Sequence, residues 1–272
     1  MQPHPHEGPE ISSLIAVDSD ELAERLLEPA TMQAIYEDTE AIIAANRTPE
    51  GLFAIVANVL DTMEAVWRDL EPDTVDYACK KGCSWCCHQS VMATAPEVLH
   101  AAKFLHDNLT SAEVLRLRDK VAERARQAEG LDNDQRMDRR IACAFLNNDV
   151  CTIYPVRPLQ CRGGYSEDAE YCHNLLEHRE ATQTAVANGT IDGKYLLVPK
   201  MLYDSAQLGM AGALQKDGLN CDPLDLATAM AIALGDPGIA DKWLRGWPVF
   251  ERARLHRHPG ERADKYATRP AQ

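Results

Sequence analysis

Aromatic residues are scarce, at 6% of 272 positions, and the residues that favour sheets are few with them. No apolar run approaches the about 18 residues that a membrane span requires. The opening stretch Met1-Gln2-Pro3-His4-Pro5-His6 has neither the basic start nor the apolar centre of a secretory signal. A basic excess is missing too. The formal charge is −14, which leaves no electrostatic footprint for nucleic acid or anionic lipid. There is no glycine-rich nucleotide loop, no P-loop and no Ser-His-Asp order, so the common nucleotide and hydrolase signatures are excluded. No internal repeat is visible. A cytoplasmic protein without a membrane or nucleic-acid partner is expected.

What is present is an ordinary globular content of 45% apolar and 26% charged residues, enough to bury a core. The acidity is concentrated in residues 1–78, where 17 acidic side chains face 3 basic ones, and the remainder is balanced. The expected organisation is a Pro- and His-rich tail at 1–17, an acidic helical segment at 18–75, a cysteine-bearing core at 76–190, a C-terminal helical segment at 191–255 packing on that core, and a loose tail at 256–272. The acidic helices are a candidate docking face for a protein partner.

Local signals place the helices. One is expected from Asp18 to Glu28 and another over 30–46. A third starts at Thr48-Pro49, where Leu52, Val56, Val59, Met63, Val66 and Leu70 recur at helical spacing. Thr94-Ala-Pro-Glu97 and Thr110-Ser-Ala-Glu113 read as capping boxes opening two more. Residues 143–165 carry Pro155, Pro158, Gly163 and Gly164, which forbid long helices. A helix is then expected from Ser166 to about Asn188, an extended piece at Tyr195–Val198, and a helix from Pro199 whose Gly209, Ala211, Gly212 and Ala213 permit close packing. Shorter helices follow Asp222-Pro223 and Asp236-Pro237.

The chain's chemistry lies in its cysteines. Cys79, Cys83, Cys86 and Cys87 fall within nine residues, with Gly82 allowing the turn between the first two. Cys143, Cys151, Cys161 and Cys172 follow, and only Cys221 stands apart. Nine cysteines without an export signal favour metal over disulfides, and short loops let thiolates converge on one ion. Cys221 reads as a small buried hydrophobe, a reading that also competes for Cys172. Eight thiolates balance better as two four-ligand zinc sites, or as one iron–sulfur cluster with structural thiols, than around a single zinc ion. Lys80, Lys81, Arg157 and Arg162 are candidates to offset thiolate charge or to bind an anionic group. His88 either replaces a thiolate or bonds to the backbone.

Cys83-Ser-Trp-Cys86-Cys87, Cys143-Ala-Phe-Leu146, Cys151-Thr-Ile-Tyr154, Arg157-Pro158 and Cys161-Arg162 together resemble the YkgJ-type cysteine-cluster proteins, described as zinc- or iron-chelating domains. The resemblance spans about 76–175, and Cys79 departs from the family's spacing by standing four positions before Cys83. It implies a chelated metal. Through a flagellin lysine methylase with a similar cysteine set, it also makes an enzyme acting on a protein side chain conceivable. The expected fold is mainly α, with an irregular, metal-stapled cysteine-rich core and few short strands. The expected function is metal binding, as zinc or an iron–sulfur cluster, with an iron–sulfur-dependent redox or protein-modifying enzyme as the alternative and a partner-docking module as the weaker one.

Overall fold

Thr48 caps the helix that Pro49 begins, its hydroxyl accepting the Gly51 N–H at 3.3 Å. This is α2 (Pro49–Leu70), preceded by α1 (Glu28–Ala45). The computed structural model describes residues 28–70 and 77–255. The helix expected from Asp18 and the two tails, at 1–17 and 256–272, lie outside the described residues. The apolar stripe of α2 is buried as its spacing predicts, with Leu52, Ile55, Val56, Val59 and Met63 each at most 2% exposed. It packs on α3 (Ala95–Asn108), and α1 packs on both α2 and the long α9 (Leu197–Lys216).

The α1–α9 contact is close because α9 offers no side chain at Gly209. A Cβ there would lie 2.3 Å from the Met32 carbonyl oxygen. Gly209→Ala is therefore expected to force the helices apart, costing about 1–3 kcal/mol through overpacking. Thermal unfolding checks this, with Gly212→Ala as the milder comparison, since the nearest atom there is a Tyr36 ring carbon at 3.5 Å.

Both expected capping boxes are made, opening α3 and α4 (Ser111–Ala128). A third, Asp132 with Gln135, opens the short α5 (Asn133–Asp138). After the irregular middle, α6 (Leu159–Arg162) is a single turn. The helix expected from Ser166 is instead two, α7 (Ala169–Glu177) and α8 (Arg179–Ala187), capped first by Asp168. The break lies at His178, whose φ −137° and ψ 42° leave the helical region. α9 starts at Leu197, two residues before Pro199. α10 (Leu226–Ala233) and α11 (Ile239–Leu244) complete the α-helices of the described residues, with α10 against α4.

Among the described residues, strands are confined to four two-residue pieces. β1 (Met92–Ala93) pairs antiparallel with β4 (Leu224–Asp225), and β2 (Leu146–Asn147) with β3 (Val150–Cys151). The fold is mainly α. One continuous core runs from Ile35 on α1 through Val98 and Met210 to Trp243 on α11. No helix among the described residues is long and apolar enough to cross a membrane.

Candidate metal centre

The first cysteine loop is shaped by a tight turn. Cys83 N–H donates to the Lys80 carbonyl at 2.9 Å, and Gly82 takes the left-handed φ of +93° that the turn requires. A 3-10 turn, Trp85–His88, carries Cys86 and Cys87 as consecutive residues. With three residues per turn, their side chains leave the axis about 120° apart. Cys87 turns towards the second cysteine segment, since the Cys143 N–H donates to its carbonyl at 2.7 Å.

The second segment is a hairpin. Asn148 and Asp149 both have positive φ, 47° and 59°, as a two-residue hairpin connection demands and as Asn and Asp tolerate. The pairing sets Leu146 opposite Cys151. Asp149 accepts the Ser84 hydroxyl at 2.6 Å, fastening the hairpin tip to the first cysteine loop. The expected extended piece near Tyr195 is present only as a bridge. Ser166 and Tyr195 pair antiparallel, and on the other side Ala78 N–H donates to the Ser166 carbonyl at 2.9 Å. Three chain segments thus lie edge to edge beside Cys79, whose sulfur accepts the Ser166 N–H at 3.4 Å.

All nine cysteines are free thiols. Seven of the eight in the two cysteine segments fall into two electrostatic neighbourhoods, and Cys86 belongs to both. Cys79 interacts with Cys83, Cys86 and Cys172, and Cys172 with Cys83 and Cys86. Cys87 interacts with Cys143 and Cys161, and Cys161 with Cys143 and Cys151. Cys86 touches both groups. Burial pushes the thiols of Cys79, Cys151, Cys161 and Cys172 up, and that of Cys143 to about 11. Cys86 is the exception. A hydrogen bond from Cys87 brings its thiol down to about 7, while Cys87 keeps its own proton. Cys221 lies apart in the apolar core at 4% exposure, its thiol pushed up to about 12 by that burial.

The expected cationic residues separate. Arg157 stacks on the Tyr154 ring with 3.8 Å between guanidinium carbon and ring centroid, within electrostatic reach of Cys86, Cys151 and Cys161. Arg162 is buried at 3% exposure, and its guanidinium is engaged by Glu64 of α2 and by the carbonyls of Pro155 and Arg157. Lys80 and Lys81 are exposed at the turn. His88 contacts the Trp85 carbonyl through Nδ1 at 3.3 Å, the backbone alternative of the two weighed for it. Sequence reasoning missed Ser84, Gln89, Asp149, Ser166 and Tyr195 as supports. Only the Asn148-Asp149 turn pair carried a recognisable local signal.

The donor set suits a thiophilic ion, because thiols buried together repel as thiolates and a cation relieves that repulsion. The geometry is less complete than the chemistry. Among the described residues no three Cys, His, Asp or Glu side chains stand placed to hold a metal ion. No curated protein and no solved structure matches the chain. Residues 78–178, which hold all eight grouped cysteines, match the family model CxxCxxCC, described as "Putative zinc- or iron-chelating domain".

Proposed function

We propose that the chain chelates metal through two four-thiolate sets, Cys79, Cys83, Cys86 and Cys172 in one, and Cys87, Cys143, Cys151 and Cys161 in the other. The observation that carries this reading is that Cys79 and Cys172 neighbour Cys83, while Cys161 neighbours Cys87, Cys143 and Cys151; Cys86 neighbours members of both groups and is assigned to the first to complete four donors. Each set has the donor number of a closed structural zinc site or of a four-thiolate iron–sulfur cluster. Charge supports it as well. Four thiolates on a divalent ion leave a net negative site, and Arg157, with Lys80 and Lys81 on the adjoining turn, offsets it. Arg162 is left out of this role because Glu64 already neutralises it.

Metal analysis of protein prepared anaerobically tests the division, with about two ions or clusters expected per chain. Cys79→Ser and Cys172→Ser are expected to remove one equivalent, Cys87→Ser and Cys161→Ser the other, and Cys221→Ser neither. Absorption near about 400 nm separates iron–sulfur from zinc occupancy. A wild-type content of one equivalent, lost entirely on mutating a cysteine of either set, would replace two sites by one.

A further inference from the structure

We infer that the cleft between α4, α5 and the start of α10 binds a small carboxylate with an apolar tail. The cleft encloses about 430 Å3 and opens to solvent. Four parts of the chain build it: Arg124 from α4, Arg136 from α5, residues 141–145, and residues 225–227 where β4 runs into α10. Val91, Ile141, Phe145, Leu226 and Ala227 make most of its wall apolar. Cys143 lies in the same wall, but neither guanidinium has a part in the proposed metal sites.

Charge decides the class of ligand. The lining carries two guanidiniums and one carboxylate, which leaves one net positive charge. Arg136 and Asp225 meet at 2.6 Å, with only 14% and 11% of their side chains exposed. Asp225 has nothing further to give, because its other oxygen caps α10, accepting the Thr228 N–H at 2.9 Å and hydroxyl at 2.7 Å. The Nε of Arg136 is enclosed without an acceptor, so this guanidinium is under-compensated for its burial. Arg124 donates to the Gln127 amide oxygen at 2.7 Å and, among the described residues, has no salt-bridge partner. A guanidinium with N–H groups to spare grips a carboxylate well. One positive charge beside apolar walls suits a monoanion with a hydrocarbon body. Inorganic phosphate brings more charge and no apolar surface to bury.

Amide NMR titration of the full-length protein with straight-chain carboxylates from acetate to hexanoate, and with inorganic phosphate, provides the test. Saturable shifts at residues 141–145 and 225–227 are expected, with affinity rising about 2–4-fold for each added methylene as the tail meets the apolar wall. Arg124→Gln is expected to weaken hexanoate binding about 10-fold. Ala227→Leu should block the cleft and remove the dependence on chain length. Arg124 and Ala227 are only partly buried, so both variants should unfold at the wild-type temperature. Absence of shifts at those residues with millimolar hexanoate would overturn the inference. So would an affinity that ignores chain length or survives Arg124→Gln unchanged, because that pattern marks loose ion pairing at the surface. Tighter binding of phosphate than of hexanoate would overturn the assignment to carboxylates.

Discussion

Stripping metal from the reduced protein is expected to abolish hydrogen-exchange protection over 77–90 first and 143–166 next, while α1, α2, α3 and α9 keep theirs. The first loop has only a four-residue 3-10 turn, none of whose residues is buried. Isolated turns of that length do not hold themselves in water. The second segment is anchored better, since Phe145, Ile153 and Leu159 are each 1% exposed, so its loss should be partial. The long helices bury Ile35, Leu52, Met63, Val98 and Met210 in one continuous core. Structural zinc contributes about 10–16 kcal/mol in small metal domains, as much as a whole domain's net stability of about 5–15 kcal/mol. The local effect should therefore be large. Exchange measured by mass spectrometry, with metal removal verified, checks this. Unchanged protection of 77–90 would show that the loop stands without metal.

Glu97→Ala should be the most damaging substitution outside the cysteines. Glu97 is 3% exposed and accepts four hydrogen bonds: from the Thr94 N–H and hydroxyl at 2.7 Å, the Leu159 N–H at 2.8 Å and Gln207 Nε2 at 2.8 Å. It joins the start of α3, the turn that bears Cys161, and α9. Deleting it strands buried donors, at a cost of about 3–5 kcal/mol. Glu113 occupies the equivalent place in the next capping box, exposed and bonded only within it, so Glu113→Ala should cost a small fraction of that. Glu97→Gln should fall between, since its amide NH2 must face a donor that the carboxylate accepted. Thermal unfolding of the three variants decides, and equal losses from Glu97→Ala and Glu113→Ala would refute a special role for Glu97. Metal retention at the Cys161 set should drop with Glu97→Ala alone.

That contrast shows how far the sequence could be read. The two capping boxes are identical as local patterns, and both helices start where those patterns put them. The partners of Glu97 at Leu159 and Gln207 lie 62 and 110 residues away, and no local pattern reports them. Gly209 was legible as a site of close packing, though not as the seat of the Met32 carbonyl. The cysteines were legible as a group, but the division proposed for them depends on which thiols the folded loops bring near one another, and spacing alone does not report that. Arg162 illustrates the converse. Adjacency to Cys161 suggested a shared site, yet successive residues on a helical turn point about 100° apart, and Arg162 points to Glu64. The single helix expected from Ser166 failed at His178, where no glycine or proline marks the break.

The edge-to-edge pairing of Ala78, Ser166 and Tyr195 also sets a timetable for synthesis. Ser166 is made 87 residues after Cys79, and Tyr195 comes 106 residues after the Gln89 that bonds it. At about 5–20 residues per second, the early thiols wait roughly 4–20 s on the ribosome before their last partners exist. During that interval Cys79, Cys83, Cys86 and Cys87 are a reduced tetrad on an unfinished chain, open to stray metal or oxidant. Acquisition of the right metal then becomes a matter of order as well as affinity, and slowed translation between 90 and 195 would lower the correctly loaded fraction without altering one residue.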